Sequence, residues 1–157
     1  RPVQLPARVA QDVLGAEGEM HFWQVCMKPG KPLAFGTVQG MPLLGLPGNP
    51  VSAMVSFEQF ARPAILKMLG KTQLRQPTVE AILEEDVKSS GRRDFKRAVV
   101  TKRGGQYYAS VTGPEGSGIL TSMVKANALA IIPEGVRHVK AGERVIVQML
   151  DWPENVE

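Results

Sequence analysis

Apolar residues recur at helical spacing twice in the first half of the chain and at strand spacing through the second half. Val9, Val13 and Leu14 share one helical face ahead of Gly15 and Gly18, which predicts a short opening helix. Residues 20–27 then read as a strand, and 33–38 and 42–46 as two more, joined at the turn dipeptide Gln39-Gly40. From Pro50 onward, Val51, Met54, Val55, Phe57 and Ala61 fall on one side and Glu58 and Gln59 on others, the pattern of an amphipathic helix covering a sheet. Pro63 predicts a bend in that helix, because it lacks an N–H and its ring meets the Gln59 carbonyl, a conflict worth about 3 kcal/mol in a straight helix. Ile65 to Leu69 complete the helix and Gly70 closes it.

Residues 71–77 are polar and aperiodic and end in Pro77, which makes them the linker between a region 1–72 and a region 73–157. Beyond the linker the periodicity predicts strands at 79–87, 94–102, 106–111, 129–132 and 144–150, with a hairpin at Gly104-Gly105 and one helical turn between Ile119 and Ala126. No helix there is long enough to cover a sheet, so the segment closes as a small barrel or sandwich. The predicted fold is therefore α/β followed by a small all-β domain. If the strand at 20–27 is parallel to its neighbour, the opening helix must cross from an earlier strand, so the chain reads as the tail of a longer protein.

Composition adds limits. With 157 residues and 43% hydrophobic content, the chain can bury one modest core or two small ones. No run approaches the roughly 20 apolar residues of a helical membrane span, and the first residues lack the layout of a signal peptide. The single cysteine, Cys26, has no internal partner and fits a reducing compartment, with the cytoplasm as the default. Net charge of +4 suits an anionic small molecule and falls short of a nucleic-acid signature.

Candidate chemistry concentrates in two loops. In Lys28-Pro29-Gly30-Lys31-Pro32 the prolines stiffen a mount for two ammonium groups. In Gly45-Leu46-Pro47-Gly48-Asn49-Pro50-Val51-Ser52 an apolar strand gives way to a helix with Asn49 as N-cap, Pro50 at the first position and Ser52 in the first turn. Free backbone N–H groups at that start, beside Lys28 and Lys31, would suit an oxyanion or phosphate. The bland alternative is that these are ordinary strand turns. His21 and His138, with one cysteine, give no metal-ligand spacing, and no lysine follows the last glycine of 45–52 as a P-loop requires. The basic run Lys88, Arg92, Arg93, Lys96, Arg97, Lys102, Arg103 reads first as a solvated face, with one or two arginines turned into a shared cleft as the sharper option.

The runs FWQVCMKPGKPLAFG at 22–36 and GLPGNPVSA at 45–53 resemble the molybdopterin molybdenumtransferase family, which includes MoeA and the gephyrin E domain. The resemblance continues through 117–133, where Ser122-Met123 and Ala126-Asn127-Ala128-Leu129 are similar to the family's last domain. It covers the C-terminal part of the family only, and implies the end of a MogA-like three-layer α/β domain followed by a small β-barrel. The implied activity is insertion of molybdate into adenylylated molybdopterin with release of AMP, with Mg²⁺ as the divalent cation. Lys28, Lys31 and Pro32 correspond by motif to the loop that approaches molybdate. Pro47, Gly48, Asn49, Pro50 and Ser52 correspond to the adjoining substrate-binding turn, and Arg92 and Ser117 to oxyanion contacts in the last domain.

Two departures accompany the resemblance. Gln24 stands where many members carry a further lysine, which weakens the expected phosphate binding. The upstream Gly-rich motif with its aspartates, which supports the metal, has no counterpart here, and neither do the domains that build the family's dimer. Those parts would have to come from association with an N-terminal portion or within a homo-oligomer, and this chain alone is expected to be inactive. Two competing classes remain: a noncatalytic gephyrin-like scaffold, which needs an exposed apolar or aromatic groove on the barrel, and salt-sensitive nucleic-acid binding by the basic run.

Overall fold

In a computed structural model, residues 16, 18–30, 32–112 and 123–151 are described. The predicted opening helix lies outside the described residues. The chain first forms β1 (Gly18–Gln24), β2 (Met27–Lys28), β3 (Pro32–Val38) and β4 (Met41–Gly45). Strands β1, β3 and β4 make an antiparallel sheet in the order β1-β3-β4. The β3–β4 turn is Gln39-Gly40, both at positive φ (50° and 76°), the backbone twist that a two-residue hairpin requires. Among the described residues the ladders of this sheet are all antiparallel, as strands joined through short turns must be.

The strand predicted at 20–27 is broken. The Met27 N–H donates to the Val25 carbonyl at 2.8 Å in a tight turn, and the chain leaves the meander there. Met27 and Lys28 pair instead, in parallel, with Arg93 and Asp94 of a strand in the second half. The apolar run of Val25, Cys26 and Met27 looked continuous because hydrophobicity does not reveal which sheet a residue joins.

After β4 the chain enters α1 (Pro50–Ser56), a π-helical segment (Phe57–Ala61) and α2 (Arg62–Met68). The predicted bend at Pro63 takes the form of the π segment just before it. The Arg62 N–H reaches back five residues to the Phe57 carbonyl, widening the turn ahead of a proline that cannot donate. At the far end Gly70 adopts φ 73°, with its N–H on the Lys67 carbonyl at 3.0 Å and the Lys71 N–H on Leu66 at 2.9 Å, a Schellman closure.

The second half contains β5 (Thr78–Leu83), β6 (Val87–Lys88), β7 (Arg93–Arg103), β8 (Gln106–Val111), β9 (Ala128–Ile132), β10 (His138–Val139) and β11 (Arg144–Met149). A helical turn at 123–125 falls where one was expected. Pairing runs β7-β8-β5-β11-β9, and β9 returns to β7, so five strands close into a barrel rather than a sandwich. Closure depends on the length of β7: its first half pairs with β9 and its second with β8, and Ala98 is in register with both Ala128 and Val111. A barrel this narrow has little interior room, and Ala81, Ala98, Ala109, Ala128 and Ala130 fill it beside Leu83, Ile132 and Val147.

Strand β9 shows how the halves join. Ala128, Ala130 and Ile132 face the barrel interior, while Leu129 faces a second apolar cluster with Met27, Val51, Val55, Phe95 and Met123. That cluster draws on β2, α1, β7, β9 and the 123–125 turn, so helix and barrel share a core across residues 71–77. A side-chain bond from Gln59 Nε2 to Gln148 Oε1 at 2.8 Å spans the same seam.

Candidate functional site

The Lys28 loop is held down from both sides. Lys28 ends β2 beside Asp94 of β7, and the Arg92 guanidinium donates to the Met27 carbonyl at 3.3 Å. Gly30 is buried at φ 105°, where an added Cβ would lie 2.6 Å from Ser56 Oγ of α1. Only glycine allows loop and helix to touch this closely.

A pocket of about 490 Å³, within the usual range for small-molecule sites, opens along this seam. Lys28, Pro29, Asn49 and Ser52 form the wall on the sheet-and-helix side. Lys96 and Arg97 contribute from the barrel strand β7 and Lys88 from β6, with Glu85 and Asp86 also on the lining. The two loops singled out in the sequence thus meet at one cavity. Pro47, Gly48 and Pro50 shape the turn into α1 without lining the pocket, and Arg92 braces β2 from outside the lining. Pro32 contributes the first backbone position of β3. Lys31 and Ser117 lie outside the described residues.

The helix start differs from expectation. Asn49 Oδ1 accepts from the N–H groups of Val51 (3.0 Å) and Ser52 (3.2 Å), and the Ala53 N–H donates to the Asn49 carbonyl at 2.8 Å. Pro50 has no N–H to give. The donors expected to be free for an anion are occupied by the cap that makes the helix start well, so the anion-binding capacity of this wall rests on side chains.

The basic run is not a uniform solvated face. Arg97 is buried to 7% exposure at the pocket, and Lys96 lies 3.2 Å from the buried carboxylate of Asp94. Arg103 pairs with Glu84 and stacks on Tyr108 with its guanidinium carbon 4.1 Å from the ring centre, away from the pocket. The pocket residues Lys88, Lys96 and Arg97 were visible in the sequence only as members of that run. Glu85 and Asp86 carried no signal, because the periodicity put them inside one strand at 79–87, whereas β5 ends at Leu83 and β6 starts at Val87, with the acids in the turn between.

Both rim acids are engaged. Glu85 Oε1 accepts the Val111 N–H. Asp86 Oδ1 accepts the Ala141 N–H at 2.9 Å and Oδ2 faces His138 Nε2 at 3.3 Å. The Ala141 bond is the main cause that holds the Asp86 carboxyl below its usual range; partial desolvation opposes it and the His138 and Lys140 charges assist it. Asp86 is therefore anionic at neutral pH. Among the described residues no three His, Cys, Asp or Glu side chains converge as metal ligands.

Two family models match the chain on either side of the linker. Residues 7–67 match one described as a probable molybdopterin binding domain, and residues 80–150 match the MoeA C-terminal region (domain IV). The sheet, the bent helix and the five-stranded barrel are together of the MoeA class. The chain is 37% identical over 139 residues to the molybdopterin molybdenumtransferase of Haemophilus influenzae, covering 87% of this chain and 34% of that protein. It is 39% identical over 137 residues to molybdopterin molybdenumtransferase 2 of Mycobacterium tuberculosis, covering 87% of this chain and 33% of that protein. The chain belongs to the molybdopterin molybdenumtransferase family and spans about a third of the length of these relatives. Among solved structures, the molybdopterin biosynthesis MoeA protein of Pyrococcus horikoshii superposes with a TM-score of 0.77 at 32% identity, over 93% of this chain and 36% of that one. A molybdenum cofactor biosynthesis protein of Pyrococcus furiosus superposes with a TM-score of 0.66 at 31% identity, over 91% of this chain and 53% of that one.

Proposed function

We propose that this chain is the C-terminal portion of a molybdopterin molybdenumtransferase of the cytoplasm, and that its seam pocket receives molybdate beside adenylylated molybdopterin as AMP leaves. In this proposal residues 1–72 end a three-layer MogA-like domain and residues 73–157 form the MoeA barrel. The missing partners of the site come from an N-terminal portion or a second subunit. The observation that carries the proposal is the convergence of Lys28 with Lys88, Lys96 and Arg97 on one cavity between the two family-matched regions.

The chemistry asked of these residues is electrostatic. Ammonium and guanidinium groups on a rigid seam, with Lys31 in the same loop, hold a tetrahedral dianion and offset phosphate charge without reorganising, and no side chain need act as a nucleophile. The Mg²⁺ that the resemblance implies is expected on the upstream aspartate motif, so no part of the proposal runs through a metal on the described residues. The scaffold alternative needs an apolar patch on the barrel. The exposed large apolar side chains before the linker lie on or beside the small sheet, at Phe35, Met41 and Leu46, and along the helical segment, at Met54, Phe57, Ile65, Met68 and Leu69, while Val124 and Ile146 are the exposed ones described beyond the linker.

Titration calorimetry with molybdate on the full chain tests the pocket. A hydrogen bond to a charged group is worth about 1.5 to 3 kcal/mol, so Lys28→Ala is expected to weaken binding by roughly tenfold or more. Equal affinity in parent and variant rejects the site.

A further inference from the structure

Asp94 lies near the start of β7 at 1% exposure. It is in register with Lys28 across the parallel ladder and stands two residues before Lys96, on the same face of the strand. Its Oδ2 is 3.2 Å from Lys96 Nζ and accepts from Ser89 Oγ at 3.3 Å, while Oδ1 has no hydrogen-bond partner among the described residues. Lys96 keeps 12% side-chain exposure and yet lines the pocket.

A carboxylate buried this deeply with one oxygen unsatisfied costs stability, and an apolar side chain of similar volume would suit a barrel wall better. What the carboxylate does supply is a fixed point for a long flexible side chain. Exposed lysines sample many rotamers and lose that freedom when they bind. Lys96 has already lost it, tied to Asp94 beneath the pocket surface. An ammonium carries three N–H donors, so pairing with Asp94 fixes the head without by itself exhausting it.

We propose that Asp94 is a positioning residue of the oxyanion pocket: it holds the Lys96 ammonium against the pocket wall, and Lys96 is a further contact to the bound tetrahedral oxyanion. The inference rests on the oxyanion reading of the Lys28 pocket. The pair is neutral as a unit, so it contributes oriented donors more than net attraction. That gives the inference a sign of its own. Replacing Asp94 by asparagine makes the pocket more positive by one charge, and by Coulomb attraction alone an anion should then bind more tightly. Positioning requires the opposite.

Molybdate titrations at fixed ionic strength on the full chain decide between them. Lys96→Gln is expected to weaken binding about tenfold, and Asp94→Asn several-fold despite its gained charge. The double variant is expected to bind no more weakly than Lys96→Gln, because Asp94 acts through Lys96. Tighter or unchanged binding in Asp94→Asn overturns the inference. Should Asp94→Asn fail to fold by circular dichroism, Lys96→Gln decides alone, and unchanged binding in it is equally fatal. Lys28→Ala separates the two levels. If it weakens binding and Lys96→Gln does not, only this inference falls; if neither does, or the parent binds no molybdate, the pocket reading falls and takes the inference with it.

Discussion

At the scale of the residue, the Lys28 loop depends on a position that carries no side chain. Gly30 has φ 105°, and a Cβ there would meet Ser56 Oγ at 2.6 Å and Met27 Cε at 3.2 Å. Both the dihedral and the contact oppose a side chain, and strained non-glycine residues of this kind cost on the order of 1–3 kcal/mol. Gly30→Ala is expected to lose about that much stability in urea unfolding. It should also weaken molybdate binding under conditions where the variant is fully folded, because the loop must lift away from α1. An unchanged urea midpoint would show that the loop has slack. The need for glycine was legible in the Pro-Gly pair of the sequence, since turns use glycine for positive φ. The atom that enforces it was not, because Ser56 comes into place only through the packing of α1. Asn49 teaches the converse: the residue that marks a helix start in sequence also consumes the donors expected there.

At the scale of elements, an acid reinforces the antiparallel pairing of β6 with β10. Asp86 accepts the Ala141 N–H and faces His138, and its carboxyl is depressed in the folded state. A depressed carboxyl binds fewer protons folded than unfolded at acid pH. Its stabilisation is therefore complete above the ordinary aspartate range and is lost as pH falls through the lower, folded value. Glu84, depressed chiefly by the Ser110 hydroxyl and then by Arg103, acts in the same direction. Urea midpoints followed from neutral pH downward should fall through and below the carboxylate range, and Asp86→Asn should make that decline shallower. A variant with the parent's pH profile would show that the tie carries no stability. Such ties join residues far apart in sequence and leave no periodic trace. The strands themselves were more readable: Gln106–Val111 appeared with the bounds that its alternation predicted. The helix bend was legible from Pro63, but its execution as a π segment was not, since a proline shows where the ladder must fail and not how the preceding turn absorbs it.

At the scale of the whole molecule, two regions were readable and their seam was not. Strand β9, Ala128–Ile132, is buried on both faces, so its sequence is an apolar run without alternation and gives no hint that Leu129 points at a helix 70 or more residues earlier. The parallel pairing of β2 with β7 is similarly silent, and it has a consequence for the order of events in folding. Arg92 and the Met27 carbonyl it grips are 65 residues apart in the chain. Helix turns and hairpins close over a few residues and form early, whereas a contact of that separation must overcome a large loop-closure entropy and waits until the barrel strand exists. The pocket should therefore be absent from the folding transition state and present only in the native state. A ligand of that pocket would then leave the refolding rate unchanged and slow unfolding in proportion to its occupancy. Stopped-flow chevrons with and without molybdate read this directly, and acceleration of the refolding limb would mean that the junction forms before the barrier. If only the unfolding limb moves, substrate acts as a kinetic clasp: it prolongs the life of the finished chain without helping to make it.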